Sequence, residues 1–513
     1  MKRRTFIPLS IAAATGCRRS SSTSQWPIEM TYEAMAKMGD AVQITRHCLG
    51  RIDALDRVGL GIQAVIEVNP DAMRIATECK AKEMPGPAHG LPILVKDNID
   101  TADAMLTTAG SLALAGSKPM RDAFVVKRIR EAGMVLLGKT NLSEWANIRS
   151  PKSTSGWSAR GGLTRNPARL THSASGSSSG SAAAVAAGYV PGALGTETNG
   201  SIVSPASACG IVGLKPTVGL VSRTGIVPIT HWQDTAGPMT RTVRDAALLL
   251  NVIAGTDAED EQTREADARR AADYTTTLNA DALKGRRLGV VRDLAGSDAG
   301  VLSVFEKALD ALREAGAEVI DNIELPHHND LGRLSMIAML SELRGDLNAY
   351  LSARGGAITS LADVIAFNES HREEELRWFG QEFFTLAESL NVPDAIENAR
   401  RARAEALRLA GPEGIDAALA AHRLDALICP TNDPTGPINL ESGDGQVRVA
   451  STPAAVAGYP HLTVPMGRVD GLPVGLSFMG AAWSEAALLA MGHAFEAVNT
   501  TRMTSTFKTT TPR

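Results

Sequence analysis

Between residues 122 and 132 the apolar positions Phe124, Val125 and Ile129 recur at helical spacing. The unbroken run Met134-Val135-Leu136-Leu137 that follows predicts a short buried strand ending at Gly138. The couple returns further along. A strand is predicted at Arg287-Leu288-Gly289-Val290-Val291, then a helix carrying Phe305, Ala308, Leu309 and Leu312 on one face, then a strand at Glu318-Val319-Ile320. Helix and strand in alternation predict an α/β fold. Residues 330–422 read as mostly helical, and Leu462-Thr463-Val464-Pro465 and Val474-Gly475-Leu476-Ser477-Phe478 as paired or adjacent strands. The acidic and arginine-rich stretch 256–275 reads as a surface connection, and Glu373-Glu374-Glu375 as a solvated face without a catalytic role. There is no internal repeat.

Composition narrows the possibilities. The chain has 513 residues, 44% of them hydrophobic, enough to bury a sizeable core. The net charge of −4 comes with 52 basic residues spread along the chain, and aromatics are only 4%. Neither a basic stripe nor a stacking platform is present, so no nucleic-acid partner is expected. The five cysteines are far apart and form no CxxC pair, which argues against a zinc framework and against a disulfide scaffold. At the N-terminus, Lys2-Arg3-Arg4-Thr5-Phe6-Ile7 leads into a short apolar run and then Ala12-Ala13-Ala14-Thr15-Gly16-Cys17. This reads as a bacterial export signal of twin-arginine type, with a loose lipoprotein box that makes Cys17 a candidate lipid anchor. The expected location is periplasmic or lipid-anchored in the cell envelope. The run is too short to span a bilayer, and the serine-rich residues 18–26 read as a linker.

The chemistry concentrates in residues 161–216. The loop Ser173-Ala174-Ser175-Gly176-Ser177-Ser178-Ser179-Gly180-Ser181 runs straight into an alanine-rich helix, whose start would present free backbone N–H groups. A second glycine-containing turn follows at Gly195-Thr196-Glu197-Thr198-Asn199-Gly200-Ser201. Glycine permits the close backbone approach that an oxyanion pocket needs. Gly176-Ser177-Ser178-Ser179-Gly180 also matches G-x-S-x-G, which would make Ser178 a nucleophile on a strand-to-helix elbow. That elbow demands a strand immediately before it, and residues 166–175 read as loop. The residues alone do not choose between Ser178 and Ser201. Lys96 ends the apolar run Leu91, Ile93, Leu94, Val95. Burial there would disfavour its charged form; a surface lysine, or one paired with Asp97, fits the same residues.

Several motifs in order resemble the amidase signature family. They are Gly90-Leu91-Pro92-Ile93-Leu94-Val95-Lys96-Asp97-Asn98, Gly138-Lys139-Thr140-Asn141-Leu142-Ser143-Glu144-Trp145, Gly176-Ser177-Ser178, Gly200-Ser201-Ile202, Gly213-Leu214-Lys215-Pro216-Thr217 and Asp234-Thr235-Ala236-Gly237-Pro238-Met239. Ala457-Gly458-Tyr459-Pro460 and Gly471-Leu472-Pro473-Val474-Gly475 extend the resemblance, which spans about residues 30–500. Trp157-Ser158-Ala159-Arg160-Gly161-Gly162, Ala366-Phe367-Asn368 and Ala410-Gly411-Pro412-Glu413-Gly414-Ile415-Asp416 are similar to the bacterial peptide amidases within that family.

The resemblance implies a central mixed β-sheet covered by helices on both faces. Residues 1–25 would be export signal and linker, and 26–505 a single catalytic domain with its core at about 60–255 and a helical cover at about 330–422. It implies Ser201 as nucleophile, Ser177 as bridging serine after a cis Gly176–Ser177 bond, and Lys96 as base. Thr198, Asn199 and Gly200 would bind the oxyanion, and Ala146 would lie beside the substrate carbonyl. No cofactor and no metal is implied. Two positions depart from the family pattern. Asn199 replaces a common glycine, which a left-handed backbone at asparagine would accommodate, and Val203 stands where many members have arginine. The expected substrate is the C-terminal amide of a peptide, hydrolysed by a monomer. The alternatives are a small aryl or aliphatic amide, an A-type amidotransferase component that works on charged tRNA, and a non-enzymatic binding protein. Asp234 is expected to anchor a loop, Cys209 to sit in the core and His172 to serve as a structural hydrogen-bonder. His327-His328 is not expected to bind metal.

Overall fold

The apolar runs become strands of an 11-stranded mixed sheet. In chain order the strands are β1 (Val65–Val68), β2 (Pro92–Lys96), β3 (Val135–Thr140), the small hairpin β4 (Trp157–Ser158) and β5 (Gly162–Leu163), β6 (Gly192–Glu197), β7 (Val212–Lys215), β8 (Thr235–Thr240), β9 (Arg287–Val290), β10 (Glu318–Ile320), β11 (Ala426–Pro430), β12 (His461–Val469) and β13 (Leu472–Met479). The sheet order is β1-β3-β2-β6-β8-β7-β12-β13-β11-β9-β10. Every residue of β2, β3, β6, β8, β11 and β13 is buried. A strand buried on both faces needs helices on both sides, and β2 and β3 read as apolar runs for that reason; β6 (Gly-Ala-Leu-Gly-Thr-Glu) and β8 (Thr-Ala-Gly-Pro-Met-Thr) are as buried without being apolar, and Gly195-Thr196-Glu197, expected in a turn, is the end of β6. The computed structural model describes residues 30–82, 86–445 and 447–499. The export pattern, Cys17 and the serine-rich linker lie outside the described residues. No described helix is long and apolar enough to cross a membrane.

The segments near the end pair antiparallel as β12 and β13, with Leu462 opposite Phe478, and residues 330–422 are largely helical, led by His328–Arg354 and Pro393–Ala410. The strand expected to stop at Gly138 continues to Thr140. Gly138 is not a terminator: it faces Val68 and Leu94 on neighbouring strands, and a Cβ there would lie 2.4 Å from the Glu67 carbonyl oxygen. The glycine permits close backbone approach inside the sheet. The stretch 256–275 is only partly a surface connection, because Asp257 accepts from Ser222 Oγ (2.6 Å) and Asp260 from Arg223 Nε (2.8 Å).

Glu375 also departs from its expected place. Glu373 and Glu374 are exposed, but Glu375 is fully buried. Its Oε1 accepts from Ser111 Oγ (2.9 Å) and from the Leu112 N–H (2.7 Å), and Arg149 reaches both Glu144 and Glu375. Nothing in a run of three glutamates marks which one turns inward; the partners are 226 to 264 residues away. The Arg149 guanidinium also lies 4.3 Å from the centre of the Phe379 ring. The cluster pins the helical cover to the segment carrying Trp145 and Ala146. Removing one member of a buried ion cluster strands the others, at a cost of about 3 kcal/mol. Glu375→Ala is therefore expected to lower the unfolding free energy by about that amount, read from a denaturant midpoint. An unchanged midpoint would show that the cluster does not hold the cover in place.

Candidate active site

Lys96 is the last residue of β2, between its parallel neighbours β3 and β6, and its side chain has no exposure. The preceding Pro-Ile-Leu-Val run carries it into the interior. Its Nζ lies within hydrogen-bond distance of Ser177 Oγ (2.8 Å), Thr196 Oγ1 (2.9 Å), Ser178 Oγ (3.0 Å) and the Thr196 carbonyl (3.3 Å). Asp97 is not its partner: that carboxylate takes Thr108 Oγ1 and, at 3.3 Å, Arg160. Burial pulls the Lys96 amine down to about 7, against the opposing pull of Asp234 and Glu197. About half of a lysine with that affinity is neutral near pH 7 and able to accept a proton.

The Gly176–Ser177 peptide bond is cis. The two serines after it are used differently. Ser178 Oγ donates to the Thr196 carbonyl (3.0 Å) and accepts from the Thr196 N–H (3.2 Å) as well as from Lys96. It is fully buried and its hydrogen bonds are committed to Thr196 on β6 and Lys96 on β2. Ser177 Oγ has Lys96 as its one partner among the described residues. The stretch before them is loop, with no strand leading into the helix Ser179–Ala186. The α/β-hydrolase elbow is absent, and Ser178 does not stand exposed at its tip. Gly195 admits Ser178, since a Cβ there would lie 2.8 Å from Ser178 Oγ. The start of the Ser179–Ala186 helix does not offer all its donors freely. The Gly180 N–H is taken by the Asn141 carbonyl (3.0 Å), and the Ser178 N–H reaches the Ser201 carbonyl (3.2 Å).

That last bond ties the serine loop to the second turn. Among the described residues, the backbone N–H groups of Thr198, Asn199, Gly200 and Ser201 have no acceptor, and Ser201 Oγ has no hydrogen-bond partner. Ser201 itself is half-buried. The left-handed residue of the turn is Gly200 (φ 85°); Asn199 is not in that region, which corrects the expectation that its tolerance of such backbone explains its presence. Asn199 instead anchors the turn through its side chain, accepting from Ser451 Oγ (2.6 Å) and donating to Thr452 Oγ1 (3.2 Å). Glu197 Oε2 accepts the Ile202 and Val203 N–H groups (2.8 and 3.1 Å), closing the far side of the turn. Thr198 Oγ1 donates to Asp234 (2.5 Å), which also takes the Ile229 and Thr230 N–H groups. Asp234 anchors this loop, as its position suggested, and burial pushes its carboxyl up to about 6.

Ala146 lies in a left-handed run with Trp145 and Asn147 (φ 50°, 54° and 71° for residues 145, 146 and 147). It shares a narrow cavity with Asn98, Thr196, Thr198 and Asp234, so the structure brings it to the same side of the turn. On the other side, Gly176, Asn199 and Gly200 form part of a second cleft of about 190 Å³. Cys209 is buried, and burial pushes its thiol well above the ordinary range. His172 Nδ1 pairs with Thr171 Oγ1 (3.1 Å), and His328 Nδ1 with the Leu325 carbonyl (2.8 Å). Sequence reasoning missed Glu197 and Gln233. Gln233 is fully buried; its Nε2 donates to the Thr198 carbonyl (3.2 Å), while its Oε1 accepts from Ser335 (3.0 Å) and Arg403 on the two long helices of the cover. Its place directly before Asp234 was the only signal for it in the sequence.

The family model described as Amidase matches residues 43–489. A probable amidase of Arabidopsis thaliana is 39% identical over 508 residues, covering 95% of this chain and 93% of the relative. The native peptide amidase of Stenotrophomonas maltophilia superposes with a TM-score of 0.88 at 48% identity, covering 95% of this chain and 99% of that one. The A-type component of a glutamyl-tRNA(Gln) amidotransferase from Chloroflexus aurantiacus is 37% identical over 484 residues, covering 90% of this chain and 95% of the relative.

Proposed function

The chain belongs to the amidase family and is an amide hydrolase; from that premise we propose that it removes the C-terminal amide of peptides, releasing ammonia through an acyl-enzyme on Ser201. One observation carries the assignment of roles. The hydroxyl of Ser177 has the buried, proton-accepting Lys96 as its one partner, and it sits beside a turn whose four successive N–H groups are unpaired among the described residues. An amide needs an activated hydroxyl, a donor set for the oxyanion and a proton for the leaving nitrogen. Ser201 Oγ attacks the carbonyl carbon as its proton passes to Ser177, and Ser177 gives a proton to Lys96. The N–H groups of Thr198, Asn199, Gly200 and Ser201 receive the charge on the carbonyl oxygen. The relay then runs backwards: Lys96 returns the proton through Ser177 to the nitrogen, the C–N bond breaks, and ammonia leaves. Water, deprotonated by the same relay, cleaves the ester.

The peptide reading is supported by the likeness to the Stenotrophomonas enzyme over 95% of the chain and is tested by ammonia release from peptide amides, free peptides and small aryl or aliphatic amides. Peptide amides should lead in kcat/KM by tenfold or more, about 1.4 kcal/mol of transition-state binding. Equal or better turnover of small amides sinks the peptide assignment. The Chloroflexus relative favours a second reading, an A-type amidotransferase component working on charged tRNA. The export pattern at residues 2–17 speaks against it. We place the mature protein outside the cytoplasm; recovery of the full-length chain solely in the cytosolic fraction of its host would return the second reading to first place.

A further inference from the structure

The cleft beside the nucleophile turn contains one charged side chain. Among its described lining residues, Ser155, Ser173, Asn199, Gly200 and Thr435 are uncharged, as are the rest, and Asp444 is the exception. The loop that carries Asp444 is built to hold it there. Asn439 Oδ1 accepts the N–H groups of Glu441 and Ser442 (3.0 Å each), and Thr154 Oγ1 donates to the Asn439 carbonyl (3.2 Å). Gly443 is left-handed (φ 76°), and a Cβ there would lie 2.8 Å from the Lys152 carbonyl oxygen, so the chain presses against residues 152–155 just before Asp444. Asp444 Oδ2 then accepts the Ser155 N–H at 3.0 Å. Yet no lysine, arginine or histidine among the described residues pairs with it. Asp444 is half-buried, and a partly desolvated carboxylate without a cation gains from one that a ligand supplies. Its surroundings already push the Asp444 carboxyl above its ordinary value, burial being the cause.

We infer that Asp444 is a substrate subsite, binding a cationic group on the acyl part of the amide, and that the enzyme prefers peptide amides bearing an ammonium one or two residues before the scissile bond. The inference rests on the peptide-amide reading above. Ammonia as leaving group needs no cleft, so a cavity of about 190 Å³ bordered by Gly176, Asn199 and Gly200 takes the acyl portion. It has room for about one residue's worth of side chain or a chain terminus. Two sources offer the same cation, the peptide N-terminus and a lysine side chain.

Three substrates separate them: alanyl-phenylalaninamide with a free N-terminus, its N-acetyl derivative, and N-acetyl-lysyl-phenylalaninamide. In the wild-type enzyme at least one cationic substrate should exceed the neutral one about tenfold or more in kcat/KM, mainly through KM, as a charge-assisted hydrogen bond gives. Whichever leads identifies the source. In Asp444→Asn that ratio should fall to near one, and Asp444→Ser provides the same readout if the first variant folds poorly. A wild-type enzyme that hydrolyses all three without preference, or a preference that survives in both variants, overturns the subsite while leaving the peptide amidase intact. A wild-type enzyme that hydrolyses none of the three overturns the peptide-amide reading on which the subsite stands.

Discussion

Ser201→Ala leaves a folded protein with no measurable ammonia release, a loss of at least about 10⁴-fold. The site explains why the fold should survive. Ser201 Oγ bonds to no other described residue, so its removal strands no partner, while the backbone contacts of the turn remain: the Ser201 carbonyl still accepts the Ser178 N–H, and Glu197 still caps Ile202 and Val203. The comparison that decides is Ser178→Ala. Ser178 is bonded to Lys96 and to both backbone groups of Thr196, so its loss should disturb the alignment of Lys96 without removing the nucleophile. Ammonia release retained by Ser201→Ala, with covalent labelling by a fluorophosphonate intact, transfers the nucleophile's role elsewhere.

Lys96→Ala should cost about 10³-fold or more in kcat/KM, at the upper end of what a positioned general base supplies. The variant that tells more is the wild type itself across pH. The base works when neutral. With the amine near 7, the neutral fraction falls tenfold per unit below that value and saturates above it. kcat/KM should therefore rise with slope one through pH 5 to 6, bend near 7 and level off by about 8 to 9. A profile that is flat across that range excludes Lys96 as the group that must lose its proton. Because Asp234 and Glu197 oppose the effect of burial, neutralising either should move the bend to lower pH.

Part of the sheet was legible in the sequence, where a buried strand is an uninterrupted apolar run; the equally buried β6 and β8 are built from Gly, Thr, Ala and Pro and carry no such signal. The helical couple at 124–131 and β3 is the clearest case. What pattern alone could not settle was the choice between Ser178 and Ser201. Both lie in Gly/Ser loops, and the difference is where each hydroxyl's hydrogen bonds go, which depends on Thr196 and Lys96 arriving from other strands. Glu375 was misread for the same kind of reason: local composition says charged and exposed, while Arg149, Ser111 and the Leu112 N–H supply an interior for it. Asn199 shows a right residue given the wrong reason, its side chain and not its backbone being what the turn uses.

Gln233 joins parts of the molecule that would otherwise be separate layers. One end of its amide holds the Thr198 carbonyl, the other holds Ser335 and Arg403. Seating of the outer helices and ordering of the 198–201 turn thus draw on a common free energy. In the language of coupled equilibria, a fluctuation that lifts the cover away from Gln233 also removes the side-chain support of the Thr198 carbonyl, so the cover and the turn share one linkage. Catalytic competence is in that sense a reporter on helices that contribute no reacting group of their own.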